Sequence, residues 1–154
     1  MIRILFVCHG NICRSPMAEF IMKDIVRRNG CESGFYIASA ATSTEEIGNP
    51  VYPPAKAELA KHGLGCKGKT AVQITHSDYN AYDLIIVMDS GNMINITRII
   101  RSDPENKIHK LSDFSDKIAD VSDPWYTRRF DVAYNDIYEG CSGLFEYLMN
   151  EYGK

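Results

Sequence analysis

Hydrophobic positions along the chain change their period several times, and each change marks an element. Residues 2–7 form a compact apolar run, closed by His9, Gly10 and Asn11, which suits a strand buried on both faces. Ser15-Pro16 then reads as a helix cap and first helical residue. Ala18, Ile21, Met22, Ile25 and Val26 recur at helical spacing, with Glu19, Lys23, Asp24, Arg27 and Arg28 mainly on the other side and Gly30 as terminator. Residues 35–40 read as a second strand. Pro53-Pro54 opens a helix through Glu58 to His62, ended by Gly63. The clearest buried strand is 84–88, followed by a short helix over 93–100 and a short last strand over 108–111. In the tail Tyr134, Ile137, Tyr138, Cys141, Leu144, Phe145, Leu148 and Met149 share one helical face, which Gly140 and Gly143 weaken without breaking.

Strands alternating with helices predict an α/β fold, a parallel sheet covered on both faces and joined by right-handed crossovers. No repeat, low-complexity stretch or linker interrupts it, and 154 residues fit a single domain spanning 1–154. Hydrophobic residues at 45% and charged residues at 24% are ordinary for a globular chain. A formal charge of −3 argues against nucleic acid as a partner. Five cysteines, an odd and scattered set, argue against a disulfide framework and for a reducing compartment. The first apolar run is too short for a signal peptide, and none is long enough to span a bilayer. The expectation is a cytoplasmic monomer with no membrane association.

The chemistry sits where such sheets bind ligands, beyond the carboxyl end of a strand. In Val7-Cys8-His9-Gly10-Asn11-Ile12-Cys13-Arg14-Ser15-Pro16 a Cys and an Arg stand five residues apart, a spacing that closes a loop around a tetrahedral oxyanion. The amides from His9 to Arg14, with Ile12 and Cys13 among them, can turn inward as an anion nest. Gly10 and Asn11 are the residues that tolerate the left-handed backbone this turn needs. A helix end behind the loop adds positive potential, and the planar fork of Arg14 can hold two oxygens at once. The same field favours the Cys8 thiolate, a nucleophile for phosphorus, and Ser15 is placed to donate a hydrogen bond to the sulfur. Cys13 is either a buried core thiol or a resolving partner for oxidised Cys8.

These residues resemble the loop of the low-molecular-weight protein tyrosine phosphatases, Cys-x-Gly-Asn-x-Cys-Arg-Ser-Pro. Ser39-Ala40-Ala41-Thr42-Ser43, Ile47-Gly48-Asn49-Pro50, His62-Gly63, Gln73-Ile74-Thr75, and Met88-Asp89 with Asn92 follow in that family's order. Asp123-Pro124-Trp125-Tyr126 is similar to its Asp-Pro-aromatic-aromatic motif. The resemblance implies a three-layer sandwich, a four-stranded parallel sheet flanked by helices on both faces (phosphotyrosine protein phosphatase I-like). It implies hydrolysis of phosphotyrosine and aryl phosphates with no metal and no cofactor. Cys8 is then the nucleophile, Arg14 the phosphate clamp and Asp123 the general acid and base. Asn11 and Ser15 shape the loop from inside, and Asp89 supports that network. Its partners would be phosphotyrosine-containing proteins, with phosphate or other oxyanions as site ligands.

Asp-Pro often merely starts a turn, and Asp120 and Asp131 lie nearby; the aromatic pair singles out Asp123. Trp125 and Tyr126 are expected to wall the pocket rather than pack elsewhere. Three departures from the family stand out. Glu45 stands where an aromatic residue is common, leaving one side of the mouth open and acidic. Lys69 and Val72 replace a His and a nearby basic residue of the loop-supporting network. His9 replaces a small or apolar residue and is expected at the rim. Three other functions stay open: a protein-arginine phosphatase on this fold, disfavoured by Ile12 before Cys13; a thiol-based arsenate reductase, which would need a resolving pair among Cys31, Cys66 and Cys141; and a silent phosphoprotein-binding module.

Overall fold

The computed structural model describes residues 1–152, and the last two residues of the expected domain lie outside them. Strands β1 (Ile2–Cys8), β2 (Phe35–Ala41), β3 (Leu84–Val87) and β4 (Ile108–Lys110) pair in parallel, in the order β2-β1-β3-β4. The four-stranded parallel sheet expected from the sequence is the one found.

The layering follows from alternation along β1. Ile4, Phe6 and Cys8 point into one helical layer, and Leu5 and Val7 into the other. Strand β3 divides in the same way, Ile86 to the first side and Ile85 and Val87 to the second. The first layer is α1 (Arg14–Arg28), α2 (Pro53–Lys61) and the long α6 (Phe130–Tyr152). The second is α3 (Asp78–Ala81) and α4 (Ser90–Ile100), which reach the sheet through Tyr79, Ile96 and Ile100. Phe6, Ile4, Ile85 and Ile86 are fully buried, each worth about 1.5–3 kcal/mol of transfer free energy. The chain leaves β1 toward β2 and leaves β3 toward β4, in opposite directions. A crevice therefore opens at the carboxyl ends of β1 and β3.

Helix ends follow local chemistry, with some corrections. Gly30 (φ 69°) and Gly63 (φ 77°) close α1 and α2 as expected, the next residues' amides returning to Val26 O and Leu59 O. Ser15 is not the cap of α1. The helix starts at Arg14 behind Cys13, which makes no side-chain cap bond, and Ser15 is buried in the first turn. Helix α4 starts at Ser90 rather than 93 because Asp89 caps it: Asp89 Oδ1 accepts from Asn92 N at 2.7 Å, and Asn92 Oδ1 accepts from Met88 N at 3.0 Å. Ser90, Gly91 and Asn92 carry no apolar signal, so periodicity missed that turn. Helix α6 likewise begins at Phe130, ahead of the stripe that starts at Tyr134.

Gly140 and Gly143 prove to be contact residues rather than weak points. A 3₁₀ turn, Leu111–Phe114, lies directly on the α6 backbone. A Cβ at Gly143 would fall 2.0 Å from Phe114 O, and one at Gly140 2.4 Å from Leu111 Cγ. Among the described residues, no helix is long and apolar enough to cross a membrane.

Candidate active site

The loop that joins β1 to α1 is fixed from outside by its carbonyls. Cys8 O accepts from Thr42 N (2.9 Å), His9 O from Ser43 N (3.0 Å), Ile12 O from Tyr52 N (2.9 Å) and Cys13 O from Met17 N (3.1 Å). Every described peptide bond is trans, so each outward carbonyl turns the next amide the opposite way. The N–H groups of His9, Gly10, Cys13 and Arg14 consequently point to the inside of the loop. The open amides of the first turn of α1 lie beside them. Such an arrangement can hold an anion, with Cys8 at the end of β1 at its base.

Asn11 makes the turn possible. Its φ is 59°, the left-handed conformation expected of it, while Gly10 does not adopt positive φ. A Cβ at Gly10 would make only ordinary contact with Glu46 Cγ, at 3.4 Å. The Asn11 side chain, 1% exposed, donates from Nδ2 to Ser15 Oγ (2.7 Å) and Ser39 Oγ (3.0 Å) and accepts at Oδ1 from Val72 N (3.2 Å). Ser15 Oγ lies 3.0 Å from Cys8 Sγ, and Ser15 N donates to the same sulfur at 3.4 Å. With Asn11 donating to Ser15 Oγ, the hydroxyl hydrogen has two acceptors in reach, the sulfur at 3.0 Å and Ala40 O at 3.4 Å, of which the sulfur is the nearer.

The chain of bonds continues away from the cleft. Ser39 Oγ donates to Glu19 Oε1 (2.6 Å), Lys23 Nζ donates to Glu19 Oε2 (2.6 Å), and Lys69 Nζ donates to Ser39 O (2.8 Å). Glu19, assigned to the polar side of α1 by hydropathy, is therefore buried. Its signal was its place one turn after Ser15, on the same helical face. Lys69 sits 3.9 Å from Glu19 Oε1, and burial pushes its ammonium below the ordinary lysine range against the pull of that carboxylate. Val72 enters the network through its backbone amide, a contact that does not use its side chain.

Arg14 is 3% exposed and crosses the floor of the crevice. Its Nη1 donates to Asp89 Oδ2 (2.6 Å) and Val121 O (2.8 Å), and its Nη2 lies 3.5 Å from Asp123 Oδ2. Burial works against its charge, but Cys8, Asp89 and Asp123 together raise its pKa above the ordinary value. Val121 N donates to Met88 O (2.9 Å) and strings this segment along the end of β3, while Asp120 binds Ser90 and Lys110 beside it. Asp123 then caps the four-residue helix α5 (Pro124–Thr127), accepting at Oδ1 from Trp125 N (3.0 Å). Burial first, then the negative charges of Cys8 and Asp123, push the Cys13 thiol up to about 12. Cys13 is thus a protonated thiol, and all five cysteines are unpaired.

A cleft of about 200 Å³ opens over this loop, lined by Cys8, Cys13, Arg14 and Asp123 with Glu45, Trp125 and Tyr126 at its walls. His9, Gly10 and Ile12 line it too; Asn11 and Ser15 lie behind, buried. His9 is a rim residue, its Nε2 2.7 Å from Glu45 Oε2. Glu46, expected with Glu45 near the mouth, also faces the cleft. Tyr126 is the most open wall, 81% exposed. Cys31, Cys66 and Cys141 do not line the cleft. Among the described residues, no group of three or more His, Cys, Asp or Glu side chains is arranged to hold a metal ion.

A family model described as low molecular weight phosphotyrosine protein phosphatase matches residues 3–154. The low molecular weight protein-tyrosine-phosphatase YfkJ of Bacillus subtilis is 35% identical over 153 residues, 98% of either chain. Its crystal structure matches with a TM-score of 0.94, covering 99% of this chain and 97% of its own. The Streptococcus pyogenes low molecular weight protein tyrosine phosphatase SP-PTP is 38% identical, with a TM-score of 0.87 over 97% and 94% of the two chains. A Drosophila arginine phosphatase shares the architecture at 28% identity, with a TM-score of 0.84 over 94% and 96%.

Proposed function

The chain belongs to the low-molecular-weight phosphotyrosine protein phosphatases, and from that premise we propose that it hydrolyses phosphotyrosine in proteins through a cysteinyl-phosphate. The observation that carries this reading is the set of outward-tied loop carbonyls, which aims four main-chain N–H groups at the space over Cys8 Sγ.

In the first step the Cys8 thiolate attacks phosphorus and the bond to the phenolic oxygen breaks. The Asp123 carboxyl delivers its proton to that oxygen, so tyrosine leaves neutral. In the second step water attacks phosphorus, the sulfur–phosphorus bond breaks, and the Asp123 carboxylate takes a proton from the water. Inorganic phosphate leaves and the thiolate returns. The loop amides and the part of the Arg14 fork not used by Asp89 and Val121 hold the equatorial oxygens, where charge accumulates in both transition states. The Ser15 hydroxyl stabilises the sulfur anion when it is released.

Trp125 and Tyr126 offer ring faces to a phenyl group, while Glu45 and Glu46 make the opposite wall acidic. Ile12 lines the cleft beside Cys13 and supports a planar aryl substrate. The arginine phosphatase reading has the Drosophila match behind it, and rates on phosphotyrosine and phosphoarginine peptides decide between the two. The mechanism itself is tested by Cys8→Ser. Hydrolysis of aryl phosphates should disappear while inorganic phosphate still binds, and undiminished turnover would remove Cys8 from the reaction.

A further inference from the structure

Tyr52 does not line the cleft, yet it touches both loops that build it. Its main-chain N–H holds Ile12 O of the anion loop at 2.9 Å. Its ring packs against Trp125, centroids 4.8 Å apart, and against Phe130 at 6.0 Å. Its hydroxyl accepts from Arg128 Nη2 at 3.2 Å. Arg128 in turn donates from Nη1 to Trp125 O (3.3 Å) and lies 5.5 Å from the centroids of the Tyr52 and Phe130 rings.

These contacts matter because of what they hold. Helix α5 has four residues, too few to persist without tertiary support. It ends on Arg128 at φ 59°, a left-handed backbone that a long side chain adopts only under outside constraint. Upstream the segment is pinned by Val121. Downstream, Tyr52 and its neighbours are what seat Trp125 and Arg128, and Asp123 is the residue from which α5 starts.

We propose that Tyr52 is a positioning residue for the proton transfer. Its ring and hydroxyl seat α5, its main chain ties that seat to the anion loop, and together they set where the Asp123 carboxyl meets the leaving oxygen. The inference rests on the reading of Asp123 as acid, and it concerns only the step in which a proton is delivered.

Trp125 is the only tryptophan in the chain, so intrinsic fluorescence reports on α5 directly. Tyr52→Leu keeps apolar bulk and removes the ring; Tyr52→Phe removes only the hydroxyl. In Tyr52→Leu, kcat/KM for phenyl phosphate, which reports the steps through formation of the cysteinyl-phosphate, should fall about tenfold or more, as expected for an acid displaced by a fraction of an ångström. The same parameter for 2,4-dinitrophenyl phosphate, whose leaving group needs no proton, should stay near wild type. Acrylamide quenching of Trp125 should rise, and inhibition by inorganic phosphate should be unchanged. Tyr52→Phe should show a smaller change of the same kind, non-additive with Arg128→Ala because the two share one bond. An equal loss on both esters, or unaltered quenching and leaving-group dependence, would overturn the proposal. If Tyr52→Leu does not fold, additive effects of Tyr52→Phe and Arg128→Ala would overturn it as well. Asp123→Ala separates the two ideas: were it to lose activity equally on both esters, the acid assignment itself would fail, whereas a selective loss there with a silent Tyr52 series sinks only this inference.

Discussion

Asn11 carries two burdens at once, a left-handed backbone and three side-chain hydrogen bonds, two of them buried. Substitution separates them. Asn11→Gly keeps the backbone and loses the bonds; Asn11→Ala loses the bonds and strains the turn, adding about 1–3 kcal/mol. Urea denaturation should rank wild type, Gly and Ala in that order, and alkylation of Cys8 by iodoacetate should slow in both variants as Ser15 loses its orienting partner. Equal stability of the Gly and Ala variants would mean that φ at this position is not constrained. Asp123 belongs to the same scale. The proposed general-acid role predicts that Asp123→Ala loses roughly 10²–10⁴-fold in kcat/KM on phenyl phosphate, and far less in kcat/KM on 2,4-dinitrophenyl phosphate. Glu19 shows how a residue's meaning depends on its neighbours. Hydropathy put it in solvent, but a helix that buries Ser15 carries the residue four positions on into the same wall.

At the scale of elements, the two glycines of α6 explain how the segment after β4 reaches the site. The turn Leu111–Phe114 touches the helix where a side chain would otherwise stand, and the chain then runs on to Asp120 and Asp123. Gly143→Ala should be the more damaging change, because the contact is with the Phe114 carbonyl, which cannot rotate away. A loss of about 1–3 kcal/mol is the usual scale for overpacking. Gly140→Ala meets the Leu111 side chain, which can shift, and should cost less. Thermal unfolding of the two variants checks this order, and the reverse order would mean that the turn moves as a unit. Both helices that matter most to the site, α4 and α5, begin on an aspartate that also approaches Arg14. One carboxylate serves both ends there, Oδ1 capping the helix and Oδ2 facing Arg14, so the helix starts and the guanidinium are fixed together.

For the whole molecule, acid stability should rest on carboxylates outside the cleft. Burial acts to raise Asp103, but the Tyr79 hydroxyl and the amides of Lys107 and Ile108 outweigh it and hold the carboxyl below its ordinary 3.8. The Lys110 ammonium, foremost, and the Ser90 amide draw Asp120 down from the same value. Groups with depressed folded values stabilise the fold fully above the unfolded value, and that contribution vanishes as pH falls through the folded one. The urea midpoint should therefore be flat with respect to these groups above about pH 5 and fall below about pH 4, with Asp103→Asn flattening the acid limb. An unchanged limb would remove Asp103 from the account. The sequence by itself determined the parallel α/β architecture and the closed loop from Cys8 to Arg14, because strand alternation, helical period and a closed turn are short-range properties of neighbouring residues; Asp123 was pointed to by the family resemblance alone. The sequence did not reveal the burial of Glu19, the glycine contacts of α6, the Asp89 cap or the bridge through Tyr52. Apart from the Asp89 cap, a contact over three residues, those rest on groups far apart in the chain, 76 residues for Tyr52 and Arg128. Only the packing of the layers brings such groups within hydrogen-bonding range, and there geometry rather than local propensity decides which polar side chain is buried and which is left in water.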